Sequence, residues 1–139
     1  MGQFEFFDHT ADIGLRVRAA TLSDLLATAI LGLMELVYPE RSRSSPTDRH
    51  EFRLEADSAE FLLVDLLTEA LFLTETEGLV IAEVEVILDV GGVVRGEFRT
   101  FAFDPRRDSV GAEAKAITYH GLRCDHGPSG WIAEVIIDI

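Results

Sequence analysis

The sequence has only one cysteine, Cys124, among its 139 residues. A lone thiol excludes an internal disulfide and suits a reducing compartment. No apolar run approaches the roughly 20 residues that a transmembrane helix needs. The N-terminus also lacks the basic-then-apolar pattern of a signal peptide. These absences predict a cytoplasmic protein that has no membrane partner.

Basic residues are also scarce. The sequence has 12 Lys and Arg and 25 Asp and Glu, which gives a net charge of −13. Proteins that bind nucleic acid directly use Lys and Arg to replace the counterions around phosphates. The charge therefore argues against direct contact with RNA or DNA. It is compatible with a metal cation or a basic protein partner, and it would equally serve solubility.

The common signatures of catalytic sites are missing as well. The pair Gly91-Gly92 lacks the lysine and the helix of a phosphate-binding loop, and no serine lies in a nucleophile elbow. Cys124 lies near His120 and His126 in the chain, but this spacing matches none of the usual paired zinc ligands. We therefore interpret Cys124 as a thiol without a metal, either buried in the core or simply exposed.

The apolar residues, 47% of the chain, are sufficient for the core of one domain spanning residues 1–139. Alternating or continuous apolar patterns predict strands at 4–7, 13–17, 52–56, 82–88, 93–103, 114–122 and 131–139. Helical spacing predicts a first helix over 22–37, capped by Thr21, and a second between a cap at Asp57 and a stop at Gly78. Phe61 and Leu62 widen the apolar face of the second helix, and the polar segment 40–49 is an exposed loop.

Hairpins dominate the second half of the sequence, which favours antiparallel pairing over a doubly wound sheet. Each predicted helix has one apolar stripe and each strand has mostly one apolar face. The economical arrangement is an α+β fold of two layers, with two helices packed on one side of a largely antiparallel sheet.

A polar cluster between the first two predicted strands is the first candidate site. It runs from Asp8 and His9 to Asp12, and polar segments between strands often carry function, although Asp and Thr are also common turn residues. Asp138 ends the last predicted strand, so Asp12 and Asp138 converge if the first and last strands are neighbours. Two carboxylates with a backbone oxygen and water suit calcium or magnesium. If the chain ends at Ile139, its terminal carboxylate adds a third anionic ligand.

Two alternatives remain open for this cluster. Asp138 would be a frayed, solvated end if the strands do not meet. Asp8, His9 and Asp12 could instead perform acid–base chemistry in a small metal-dependent hydrolase. Lys115 and His120 interrupt the apolar stretch 114–122, either as ordinary surface residues or as groups beside the acidic site that engage a partner.

Together these segments resemble the archease family. The matching parts are DHTADIG at 8–14, KAITYHGL at 115–122, and the closing segment 131–139 with Asp138-Ile139 at its end. The resemblance covers nearly the whole chain. It implies a small protein that is not an enzyme but the cofactor of an RNA ligase.

In that family, the partner is the GTP-dependent tRNA-splicing ligase, which joins RNA 3′-phosphate and 5′-hydroxyl ends. The resemblance implies that the chain promotes guanylylation of the ligase and its repeated turnover, and meets tRNA only through the ligase. It also implies a divalent metal, with calcium favoured and magnesium or manganese as alternatives. The metal residues fall on Asp12, Asp138 and the main chain of Ile139. The remaining candidates, for activation of the partner, are Asp8, His9, Lys115 and His120. A chaperone-like binding module, indifferent to Asp12 and Asp138, is a further alternative.

Overall fold

The computed structural model describes residues 2–9 and 11–139 as two helices and eight strands, joined by short turns and loops. In chain order the elements are β1 (Gln3–His9), β2 (Asp12–Ala19), α1 (Leu22–Val37), β3 (Asp48–Glu55), α2 (Ala59–Glu77), β4 (Leu79–Leu88), β5 (Val93–Ala102), β6 (Ala116–Ile117), β7 (Arg123–Gly127) and β8 (Gly130–Asp138). The strand pairs described are antiparallel, which confirms the predicted α+β class.

The strands form two sheets rather than the single sheet predicted. One sheet has five strands in the order β1-β2-β8-β6, with β7 also paired to β8, and the other has the order β3-β5-β4. Both helices contact both sheets. Periodicity identifies strands but not their partners, so the division into two sheets was not visible in the sequence.

Side-chain caps and a left-handed residue set the ends of the helices. The Thr21 hydroxyl accepts the backbone N–H of Asp24 at 3.1 Å, which confirms the predicted start of α1. At α2 the cap is Ser58, whose hydroxyl accepts the N–H of Phe61 at 3.3 Å, so the prediction of Asp57 was wrong by one residue. The helix ends at Gly78, as predicted. Neither described helix is long and apolar enough to cross a membrane.

The core fixes which face of the five-stranded sheet points outward. Leu15 and Val17 of β2 are at most 1% exposed, as are Val135 and Ile137 of β8. Because side chains alternate along a strand, the residues between these positions project to the opposite face. A shift of one residue in register would exchange the two faces and expose this apolar set, so the register is strongly specified.

The segment 114–122 differs most from its prediction. Only Ala116–Ile117 forms a strand there, while Arg123–Gly127, which lies between two predicted strands, forms β7. The Thr118 hydroxyl donates to the carbonyl oxygen of Ile136 at 2.9 Å, and the N–H of Leu122 donates to the Tyr119 carbonyl at 3.3 Å. A left-handed Gly121, with φ of 63°, completes this turn, so the chain reverses instead of continuing as a strand.

Candidate functional site

Asp12 and Asp138 lie directly opposite each other on the neighbouring strands β2 and β8. Directly opposed residues of an antiparallel pair share a face and have Cβ atoms about 4.5–5.5 Å apart. Both residues are partly buried. The register of the buried core therefore brings together two carboxylates that the sequence places near its two ends.

The carboxylates of Asp12 and Asp138 differ from another facing carboxylate pair in the fold, which is neutralised by an arginine. On the three-stranded sheet, Glu85 and Glu97 are also cross-strand partners, but Arg99 lies 3.5 Å from Glu85 and 2.7 Å from Glu97. Among residues 2–9 and 11–139, no arginine or lysine lies within 4.0 Å of the carboxylate of Asp12 or Asp138. Like charges directly opposed across strands are destabilising, so this pair would be stabilised by a cation.

His9 is a second ionisable neighbour of Asp12. It is the cross-strand partner of Asp12 in the first hairpin, and its Nδ1 lies 3.7 Å from Asp12 Oδ2. That distance is too long for a hydrogen bond, and the buried Nδ1 has no hydrogen-bond partner in the described part of the chain. The His9 ring also meets the ring of His120 edge-on at 5.4 Å. His9 thus connects Asp12 to the 118–122 turn.

The connection between β1 and β2 is strained at Ala11, whose φ is 62°. A residue other than glycine in the left-handed region is uncommon, and such strain is often found at functional sites. Ala11 directly precedes Asp12, the first residue of β2. Thr10, the hydroxyl of the predicted cluster, lies outside the described residues.

Lys115 and Ile139 both lie beside Asp138. The backbone N–H of Lys115 donates to the carbonyl oxygen of Asp138 at 2.7 Å, and its side chain is exposed. Ile139 is partly buried and packs against the apolar core. The predicted residues Asp12, Asp138, Ile139, His9, His120 and Lys115 therefore occupy one end of the five-stranded sheet.

Asp8 is separated from this group by the alternation of the strand. Its cross-strand partner is Ile13, whereas the partner of His9 is Asp12, so Asp8 projects to the opposite face from His9 and Asp12. Its side chain is exposed. The arrangement does not bring Asp8, His9 and Asp12 together as the hydrolase alternative requires.

The residues present fit a hard cation held by few protein ligands. Among residues 2–9 and 11–139, no group of three or more His, Cys, Asp or Glu side chains is placed to hold a metal. The site offers two acceptor-only carboxylates, and calcium or magnesium can complete such a set with main-chain oxygens and water. The observation that favours an ion here is the facing pair of carboxylates, which has no basic partner among the residues that the structure describes.

The thiol of Cys124 is unsuited to metal binding or nucleophilic chemistry. It is 5% exposed, and burial, together with the negative charges of Glu60 and Asp125, raises its pKa to about 12. The thiolate, not the thiol, is the ligand and the nucleophile. Of the two alternatives for Cys124, the structure shows the buried thiol, and we assign it as a structural residue.

Comparison with known proteins decides the family. The model of the Archease protein family (MTH1598/TM1083) matches residues 4–139. The chain belongs to the archease family. Protein archease of Pyrococcus furiosus is 33% identical over 143 residues, covering 100% of both chains. Protein archease of Methanopyrus kandleri is 33% identical, covering 98% of this chain and 99% of its own.

Solved structures share the archease fold. The solution structure of protein 1598 of Methanobacterium thermoautotrophicum has a TM-score of 0.75 and 25% identity, and 98% of each chain is covered. The crystal structure of an archease from Thermotoga maritima, called a possible chaperone, has a TM-score of 0.66 and 22% identity, covering 96% of this chain and 94% of that one. These matches confirm the α+β architecture.

Proposed function

We propose that this archease is a protein activator of the GTP-dependent RNA ligase that joins 3′-phosphate and 5′-hydroxyl ends in tRNA splicing and RNA repair. In this role it acts in the cytoplasm and is not itself an enzyme. It promotes guanylylation of the ligase and its multiple turnover. The observation that carries the proposal is the facing pair of Asp12 and Asp138, which gives the family motifs at both ends of the chain one common location.

Charge supports a protein partner rather than RNA. A chain with a net charge of −13 is repelled by a phosphate backbone but is complementary to the basic surface that an RNA ligase needs for its own substrate. Complementary charge of this kind speeds association and selects the partner. In this proposal tRNA is contacted only through the ligase.

The metal-binding residues in this proposal are Asp12 and Asp138, with a main-chain oxygen of Ile139. Calcium is favoured, and magnesium or manganese are alternatives with the same preference for oxygen ligands. When bound, the ion supplies positive charge that can neutralise phosphate oxygens at the ligase centre. Lys115, His9 and His120 border the site and are assigned to contact with the partner.

Asp8 is assigned to partner contact alone. It is exposed on the other face of the hairpin, so it is not available to the ion held by Asp12.

A multiple-turnover ligation assay tests the proposal. The ligase of the same organism is mixed with excess RNA carrying 3′-phosphate and 5′-hydroxyl ends, with and without this archease. The archease should produce no ligation alone and should raise the number of turnovers by the ligase. Asp12→Asn and Asp138→Asn should lose most of this stimulation. Asp125→Asn is the control, because Asp125 is exposed and paired with Arg123 at 3.0 Å. No stimulation by the folded wild-type protein would refute the proposal.

A chaperone-like role is the second candidate. Three large side chains are about half exposed, namely Phe61 at 49%, Phe72 at 54% and Tyr119 at 60%, and exposed apolar groups can capture unfolded chains. This role predicts that the protein suppresses thermal aggregation of unrelated proteins and that Asp12→Asn does not change the effect. Aggregation that proceeds unchanged would exclude it.

A further inference from the structure

Phe61 and Tyr119 form an exposed aromatic pair that the core does not use. Their ring centroids are 5.9 Å apart in an edge-to-face arrangement, and the residues are 49% and 60% exposed. The helical spacing predicted Phe61 on the buried side of α2, but it lies outside the core and against Tyr119. We call these two residues the aromatic pair.

Both members of the aromatic pair are held by local hydrogen bonds. Phe61 is in the first turn of α2, where its N–H is bound by the Ser58 cap. Tyr119 lies in the turn that Thr118 fastens to the carbonyl of Ile136 through both its N–H, at 3.0 Å, and its hydroxyl, at 2.9 Å. Groups held in place before binding lose little conformational entropy when a partner covers them. The pair is therefore preorganised as a contact.

The aromatic pair is linked to the candidate metal site through His120 and His9. The residue after Tyr119 is His120, whose ring meets His9 at 5.4 Å, and His9 lies 3.7 Å from Asp12. A partner that reaches Asp12 and Asp138 therefore comes close to the aromatic pair. A typical interface covers about 800 Å² on each partner, which is enough to include both features.

The negative charge of this chain indicates which class of partner fits the aromatic pair. The acidic residues Glu60 and Asp65 lie near Phe61 in the sequence of α2, and the chain as a whole has a net charge of −13. A nucleic acid or a second copy of this chain would bring negative charge against negative charge. A basic protein surface with an apolar recess is complementary to both the charge and the rings, and buried aromatic residues commonly supply most of the binding energy of an interface.

We propose that Phe61 and Tyr119 are the apolar anchor by which this archease docks on its ligase, while Asp12 and Asp138 act at the active centre. This inference rests on the function proposed above. It separates two properties of the complex, because the anchor sets how tightly the ligase is bound and the carboxylate pair sets how strongly the bound ligase is stimulated.

Titration of the ligase with archease variants tests this separation. Phe61→Ala and Tyr119→Ala should each raise the archease concentration for half-maximal stimulation at least tenfold, and the stimulation at saturation should stay near the wild-type level. Asp12→Asn should lower the stimulation at saturation instead. Tyr119→Phe keeps the ring and should resemble the wild type. Unfolding temperatures of all variants verify that they are folded.

Phe72→Ala is the matched control. It removes the same side chain at similar exposure from the same helix, about 16 Å further along its axis at 1.5 Å per residue. Its half-maximal concentration should stay within twofold of the wild type. An equal weakening by Phe72→Ala would overturn the inference, because the effect would then follow exposed apolar area in general.

A direct binding readout uses Lys115, which is the only lysine in the sequence. An amine-reactive ester should label Lys115 rapidly in the free protein. At a ligase concentration that slows the labelling of the wild type fivefold, Phe61→Ala should be slowed less than twofold. If the wild type stimulates the ligase and both alanine variants match its half-maximal concentration and protection, the anchor is refuted while the proposed function stands. If the wild type gives no stimulation, both are refuted.

Discussion

The ring of Phe7 lies over Gly14, its cross-strand partner, and fills the space that a side chain at position 14 would need. On this face of β2, Gly14 stands between Asp12 and Arg16. The guanidinium of Arg16 covers the Phe7 ring, 4.7 Å from its centroid, and pairs with Glu134 at 2.6 Å and Glu5 at 3.0 Å. Phe7 thus separates the arginine network from the carboxylate pair, which leaves Asp12 and Asp138 without a basic partner in the part of the chain described.

Gly14→Ala should destabilise the protein. The added methyl would collide with the Phe7 ring, which is held between Gly14 and Arg16, and overpacking of this kind costs about 1–3 kcal/mol. Urea denaturation should therefore show a lower free energy of unfolding. Gly127→Ala is the control, since a methyl there would meet no atom within 4 Å and should change stability by less than about 0.5 kcal/mol. Equal stability of the two variants would mean that Phe7 moves aside freely.

Asp138→Asn should have opposite effects with and without calcium. In the absence of metal it removes the repulsion from Asp12, so the free energy of unfolding should rise by a few tenths to about 1 kcal/mol. With calcium at 100 times its dissociation constant, the wild type should gain about 2.7 kcal/mol and the variant should gain little. Denaturation curves in chelator and in calcium measure both effects.

The control for this experiment is Asp125→Asn, because the Asp125 side chain is 58% exposed and paired with Arg123. It should keep the full gain in calcium. A calcium gain of wild-type size in Asp138→Asn would remove Asp138 from the set of metal ligands.

The sequence predicted the meeting of Asp12 and Asp138 only conditionally. Alternation within 13–17 and the apolar segment 131–139 indicated two strands, and their pairing then followed if they were neighbours. Whether the two strands are neighbours depends on long-range packing, because β8 pairs with β2 on one side and with β6 and β7 on the other. Short-range patterns do not encode such choices, and for the same reason the division into two sheets was missed.

The details within the site show a second limit of sequence reasoning. Residues 8–12 were treated as one cluster, but strand alternation places Asp8 and Asp12 on opposite faces. The exposure of Phe61 was missed because an apolar residue beside the helix stripe was assumed to be buried. Its actual neighbour, Tyr119, lies in a turn distant in the sequence, and helical spacing carries no information about that contact. The period of two along 4–9 could have separated Asp8 from His9 beforehand.

Asp108→Asn should make the protein less stable at neutral pH, and the loss should shrink in acid. Burial by itself would raise the pKa of Asp108, but the backbone N–H groups of Ser42, at 2.7 Å, and Asp104, at 2.9 Å, bind its carboxylate and hold the pKa below its ordinary value of 3.8. A carboxyl group with a lowered pKa in the folded state contributes stability above pH 3.8, and this is lost as the pH falls through the folded-state value.

The expected loss at pH 7 is about 1.5–3 kcal/mol, the range for hydrogen bonds to a charged group, because the amide of Asn can accept only on its oxygen. Urea midpoints of the wild type and the variant, measured from pH 7 down to pH 3, should begin to converge only as the pH falls below 3.8. Asp48→Asn, at an exposed position, should follow the wild type throughout. A constant difference at every pH would show that the carboxylate charge is not the cause.

The thiol of Cys124 should be unreactive in the folded protein. Its side chain lies in the core opposite Ala133, and burial raises its pKa to about 12, so at pH 8 roughly one thiol in ten thousand is ionised. Labelling with an aromatic disulfide at pH 8 should accelerate more than a hundredfold in urea above the unfolding midpoint. Ser129→Cys places a second thiol in the exposed β7–β8 turn and should react with one equivalent of reagent at once, leaving Cys124 protected. Rapid labelling of the native wild type would show that this part of the core opens readily, and the assignment of Cys124 as a structural residue would then be wrong.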